Sequence, residues 1–191
     1  MSEATKMGFA TRAIHDGQAP DELTGAVNVP VYLTSTYKQD GIGKTRGGHE
    51  YARLTNPTRD ALEESLCSLE GGTSAHCFGS GMAAITALCT MMKTGDHVVC
   101  TENVYGGTSR LFNQVLVNYG LTFTYVDTRD ADTVAQAIRP ETKLVHIETP
   151  TNPMMSLTDI RAVSEAAHAN GVEVSVDNTF LSPYLQRPIE L

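Results

Sequence analysis

Residues 97–126, HVVCTENVYGGTSRLFNQVLVNYGLTFTYV, decide the fold class of this chain. The stretch opens with strand-forming residues from His97 to Thr101 and turns at Gly106-Gly107. Apolar residues then recur at helical spacing from Thr108 to Tyr119, until Gly120 stops them. Thr122 to Val126, β-branched and aromatic, reads as a second strand. Strand, helix and strand in so short a span form a crossover unit, which joins parallel neighbours in one sheet. The alternation continues. Asp130 caps a helix to Ile138, Lys143 to Glu148 is a strand, a helix from about Asp159 to Ala169 closes at Gly171, and Glu173 to Asp177 is the last strand. The class is therefore α/β, a mostly parallel sheet with helices on both faces. Ligands of such sheets sit beyond the carboxyl ends of the strands, so the residues that follow strands carry the functional question.

Upstream, Asn56-Pro57 reads as an N-cap followed by proline at the first helical position. Leu62, Leu66 and Leu69 then share one face up to Gly71-Gly72. Ala75 to Phe78 reads as a short strand, and Gly81 to Lys93, apolar nearly all round, as a buried helix ended by Gly95. The first fifty residues are rich in glycine and carry only one extended run, Val27 to Tyr37. A segment of that kind must lie on something else, and 1–50 is expected to be an N-terminal arm on a neighbouring subunit, with 51–191 the first part of a large domain.

The 191 residues, 41% apolar and 19% charged with a formal net charge of −8, suit one globular core. No clustered basic patch marks a nucleic-acid or anionic-membrane partner, and the longest apolar-rich run, Met82 to Met92, is too short to span a bilayer. Cys67, Cys77, Cys89 and Cys100 form no CxxC pair, which points to reduced thiols. With no apolar run in Met1 to Gly17, the expectation is a cytoplasmic protein.

Five short segments carry chemistry. In Phe78-Gly79-Ser80-Gly81-Met82-Ala83-Ala84 a glycine turn enters a helix, so free N–H groups and the positive end of the helix dipole suit a phosphate. The same letters match the GxGxxA dinucleotide pattern, with Glu102 near the ribose-binding distance, so a NAD-binding domain is one alternative and a tight turn with no ligand another. Asp177, ending an apolar strand in Val176-Asp177-Asn178-Thr179, needs a partner; a pyridinium nitrogen would supply it, or the carboxylate caps the next turn. Tyr105, beside Gly106-Gly107, can lie flat over a planar ligand or simply pack. In Glu148-Thr149-Pro150-Thr151-Asn152-Pro153 two prolines stiffen a strand exit and set where Asn152 points. Tyr51 and Arg53 alternate along an extended segment and share one face, which suits phosphate.

With these motifs in this order, from about Thr11 to the last residue, the chain resembles the Cys/Met-metabolism family of pyridoxal-phosphate (PLP) enzymes of fold type I. Cystathionine γ-lyases, cystathionine γ-synthases and methionine γ-lyases belong to that family. The resemblance implies that Gly81 and Met82, with Ser80, bind the PLP phosphate. It also implies that Tyr51 and Arg53 reach that phosphate from an identical neighbouring subunit. Tyr105 would stack on the ring and assist proton transfer, Asp177 would pair with the ring nitrogen, and Thr179 would lie close to the ring. Asn152 would meet both cofactor and amino-acid substrate, and Arg110 would face the substrate side. A homotetramer built as a dimer of dimers is implied as well. The implied chemistry is γ-elimination or γ-replacement on sulfur amino acids or activated homoserine. Gly107 stands where methionine γ-lyases carry cysteine, and the segment ending in Arg59 looks like the cystathionine enzymes, with the γ-lyase favoured over the γ-synthase or a related sulfhydrylase. The family's cofactor-bearing lysine stands in a Ser-x-x-Lys context shortly after the Asp177 motif. Lys6, Lys38, Lys44, Lys93 and Lys143 all lie outside it. The expectation is a first half whose fold and activity are completed by a further segment, with a non-catalytic assembly module as the alternative of another class.

Overall fold

The computed structural model describes residues 7–191; the first six residues of the expected arm, Lys6 among them, lie outside the described residues. The chain forms two compact units, one up to Cys77 and one from Phe78 to Leu191.

In the first unit the arm is not wholly extended. Phe9–His15 forms a short helix, α1, which packs on α2, Pro57–Glu70. The Arg12 guanidinium donates to the Ser68 carbonyl, and the Ser68 hydroxyl donates to Asp16. This helix was missed because seven residues with no capping side chain carry too little local signal; its tertiary contacts hold it. The start of α2 is as expected: the Asn56 side chain accepts from the amides of Thr58 and Arg59, and Gly71 closes the helix at φ 73°. The Asn56 amide also donates to the Tyr32 carbonyl, and the Thr58 hydroxyl to the Pro30 carbonyl, so the extended run is tied to the helix N-terminus.

In the second unit four strands, β1 (His97–Thr101), β2 (Thr122–Val126), β3 (Thr142–Glu148) and β4 (Glu173–Asp177), make an all-parallel sheet in the order β2-β1-β3-β4. Three strands match the sequence reading in both bounds, and β3 starts one residue earlier. Helices α5 (Ala131–Ala137) and α6 (Ile160–His168) cover one face. There Val134, Val163 and Ala167 pack with Val99, Val145 and Ile147. Helix α3 (Gly81–Cys89) and the turns that continue α4 (Gly106–Arg110) lie over the other face, where Cys89 and Phe112 pack with Val98, Cys100 and Leu144. This is the alternation of a twofold strand repeat between two apolar layers.

Three readings need correction. Ala75–Phe78 is not a strand: both edges of the sheet lie elsewhere, and the Cys77 amide donates to the Glu63 carboxylate instead of a ladder. Helix α3 stops at Cys89 rather than Lys93, and of its residues only Cys89 is buried. The helix after β1 begins at Gly106 and passes from α geometry through a π turn, Leu111–Val115, to a 3₁₀ turn, Leu116–Tyr119, before Gly120 ends it at φ 81°. Hydrophobic spacing near 3.6 locates such a segment but cannot resolve a change of hydrogen-bond pitch within it. A short helix, α7 (Ser182–Leu185), follows β4.

Candidate active site

Strand β1 is followed in sequence by β2 on one side of it, and β3 pairs on its other side. That reversal opens a crevice beyond the carboxyl ends of β1 and β3, the place where open α/β sheets bind ligands. A cavity of about 340 Å³ sits there, within the range of roughly 300–1,000 Å³ usual for small-molecule sites. Ser80, Gly81, Met82, Tyr105, Asn152, Asp177 and Thr179, all expected from the sequence, line it together with Ile85, Glu148, Pro150 and Phe180. All of these belong to the second unit. Tyr51 and Arg53 belong to the first, where the Arg53 guanidinium lies 4.4 Å from the centre of the Tyr51 ring. Arg110 ends α4 in an exposed position and is not among the lining residues. Glu102, which the dinucleotide alternative requires, is exposed and does not line the cavity either.

At one end of the cavity the Ser80 hydroxyl caps α3, accepting from the Ala83 amide at 3.1 Å. Gly81 and Met82 are the first two helical residues, so their N–H groups have no intrahelical acceptor. These donors and the helix dipole favour an anion. From the end of β4 comes Asp177, whose Oδ1 accepts the Thr179 amide at 3.1 Å and the Thr179 hydroxyl. One carboxylate oxygen is thus held from behind, which fixes the direction of the other.

Tyr105 forms a wall and is 44% exposed. Its ring lies over Gly107: a Cβ at that position would stand 2.4 Å from Tyr105 Cε1 and 2.9 Å from Met82 Sδ. Glycine here is a packing requirement of the ring position rather than a matter of φ. The strand exit that bears Asn152 is braced by threonines. The Thr101 hydroxyl accepts the Glu148 amide and meets the Thr128 hydroxyl at 3.2 Å. Thr128 in turn meets Thr158 at 2.7 Å, and the Thr158 amide donates to the Thr149 hydroxyl. All five residues are buried, so each polar contact spares an unsatisfied group.

The sequence reading gave Glu148 no role, yet it is the cavity's most buried carboxylate, at 5% exposure. It pairs in register with Asp177 across β3 and β4. Burial raises its pKa above the ordinary glutamate range, the nearby Asp177 charge adds to that, and amides donated by Tyr105 and Asn152 act in the opposite sense. The available signal was a carboxylate ending a strand that is otherwise apolar, the same signal used for Asp177. One layer beneath, His146 pairs in register with Ser175, and its Nδ1 lies 2.8 Å from the Ser175 hydroxyl. Among the described residues its Nε2 has no partner, and burial lowers its pKa to about 4.

The fold and the cavity define an α/β domain with a ligand crevice that offers amide donors at a helix terminus, an aromatic wall and a carboxylate. Comparison with known proteins agrees. The family model described as Cys/Met metabolism PLP-dependent enzyme matches residues 10–191, and the chain belongs to that family. It is 52% identical over 184 residues to a probable cystathionine gamma-synthase of Herpetosiphon aurantiacus, covering 96% of this chain and 57% of that protein. It is 50% identical over 181 residues to a cystathionine gamma-lyase of Bacillus subtilis, covering 95% and 48%. The crystal structure of metB from Corynebacterium glutamicum superposes with a TM-score of 0.96 at 42% identity, over 99% of this chain and 49% of that one. The chain thus spans about half the length of these relatives. PLP is the cofactor of the family, and the residues present fit it: the cavity offers amide donors of the kind a phosphate takes and a carboxylate of the kind a protonated ring nitrogen takes.

Proposed function

We propose that this chain forms the cofactor-binding half of a PLP enzyme of transsulfuration, acting by γ-elimination or γ-replacement on amino acids such as cystathionine. The supporting observation is the single cavity lined both by the Ser80-Gly81-Met82 turn and by Asp177. Bound PLP supplies an electron sink that delocalises charge developing at the substrate's α-carbon. Gly81 and Met82 hold the phosphate by their amides, with the Ser80 side chain beside them. Asp177 accepts a proton shared with the ring nitrogen and keeps the ring electron-poor, while Thr179 holds that carboxylate in place. Tyr105 covers one face of the ring, excludes water there, and is placed to move a proton at the substrate side. Asn152, on the braced strand exit, orients the substrate's α-carboxylate. Arg53 and Tyr51, from an identical subunit, add charge and a hydroxyl to the phosphate end, in a cytoplasmic homotetramer arranged as a dimer of dimers. Arg110 stands toward the substrate side of the assembled site.

Cleavage of cystathionine by γ-elimination is the first assignment. The replacement reaction that forms cystathionine is the second, supported by the likeness to the Herpetosiphon protein. Identities of 52% and 50% do not separate the two. Substrates do. With PLP added, the protein at its full encoded length should release cysteine from cystathionine; formation of cystathionine from activated homoserine and cysteine, without cleavage, would select the second reading. Failure to take up PLP, read as no change in its visible spectrum, would overturn both.

A further inference from the structure

We infer that Glu148 is a positioning residue that sets the spacing between the two loops flanking the cofactor site. Its Oε2 accepts the main-chain N–H of Tyr105 at 2.5 Å, and its Oε1 accepts the main-chain N–H of Asn152 at 2.9 Å. Tyr105 follows β1 and Asn152 follows β3, so one side chain bridges the exits of two adjacent strands across the crevice. The bridge is anchored at its root: the Glu148 amide donates to the Thr101 hydroxyl on β1 at 3.2 Å. Both carboxylate oxygens are engaged as acceptors by different loops, and only an ionised carboxylate offers two such acceptors to two N–H donors without a competing proton. Tyr105 and Asn152 are both exposed, so burial of their own side chains does little to fix the spacing between the two loops. A shift of either loop would move the aromatic wall relative to the group that orients substrate, and misplacements of about 1 Å can cost on the order of 10²-fold in rate. Glu148 itself acts through these neighbours.

This assignment rests on the PLP reading for its catalytic consequence, but its geometric core can be tested apart from that reading. In the wild-type protein at full encoded length, hydrogen exchange should show the Tyr105 and Asn152 amides protected by about 10²-fold or more, unusual for exposed loop positions, with or without PLP. Protection below about tenfold for both would overturn the clamp, whatever the cofactor. In the PLP-loaded enzyme, Glu148→Gln replaces one acceptor with an NH₂ donor and must release one loop in either orientation. It should lower kcat by about tenfold or more while PLP affinity, held also by the untouched Ser80–Met82 turn, Asp177 and Arg53, falls by about threefold at most. Glu148→Asp keeps two acceptors and should recover part of the loss, although it is a less close match in size. A purely structural role predicts the reverse order, with the near-isosteric glutamine the milder change, and that result would sink the assignment. So would a Glu148→Gln enzyme with kcat and KM unchanged. If wild-type protein takes up no PLP, the cofactor reading fails while the exchange measurement still decides the clamp.

Discussion

His146 offers a prediction whose size can be worked from the structure. The imidazole lies within β3 at 2% exposure, with the Phe112 ring edge-on at 5.9 Å and, among the described residues, Ser175 as its one hydrogen-bond partner. Burial lowers its pKa from 6.5 to about 4, with a small opposing pull from Asp177. The unfolded chain binds this proton near pH 6.5 and the folded chain only near pH 4, so over that window the unfolded state holds more protons. Stability from this group is therefore fully present above about pH 6.5 and is lost as pH falls through the window. Between pH 7 and pH 4.5 the loss is on the order of 2 kcal/mol, and it approaches roughly 3 kcal/mol below pH 4. His146→Gln keeps a neutral partner for Ser175 and removes the titration. Its stability in urea should fall less between those two pH values than that of the wild type, by the same amount of roughly 2 kcal/mol. Proton NMR of the histidine ring reads the group directly. A midpoint near or above the ordinary histidine value, or wild type and variant losing stability in parallel, would refute the reasoning.

Other substitutions address the site itself. Asp177→Ala in the PLP-loaded protein should lower kcat by at least about 10²-fold, since the ring nitrogen loses its carboxylate, and steady-state turnover checks it. Arg53→Ala should weaken PLP retention by about 10- to 100-fold, the worth of a charge-assisted hydrogen bond, as read by dialysis and cofactor absorbance. Unchanged retention would count against a phosphate shared between subunits. Gly107→Ala should displace the Tyr105 ring, because the three atoms nearest the new Cβ are Tyr105 Cε1 and Cδ1 and Met82 Sδ, all of them side-chain rather than backbone atoms. We expect a fall in kcat of up to about 10²-fold with stability altered by less than about 1 kcal/mol, tested by turnover alongside thermal unfolding.

Local pattern alone determined much of this protein. The strands from His97 to Asp177 are legible because a parallel sheet covered on both faces asks for near-continuous runs of apolar and β-branched residues. The caps at Asn56, Ser80, Asp130 and Asp159 are likewise local events, each a side chain satisfying amides two or three residues away. The segments that hold seven of the cavity's lining residues stand out because they end strands or open a helix, and the family resemblance singles out Ser80, Gly81, Met82 and Thr179 within them. What needed the tertiary structure was anything fixed by a partner distant in sequence. Helix α1 exists by its contacts with Ser68, fifty-two or more residues away, and Ala75–Phe78 stays out of the sheet because no strand stands beside it. Glu148 is the plainest case. Its letter says only that a charge ends a strand; that its two oxygens meet amides forty-three and four residues away is decided by the parallel register that sets β1 beside β3. A buried carboxylate must find donors, but which donors depends on how the sheet is ordered, and no spacing along the chain records that.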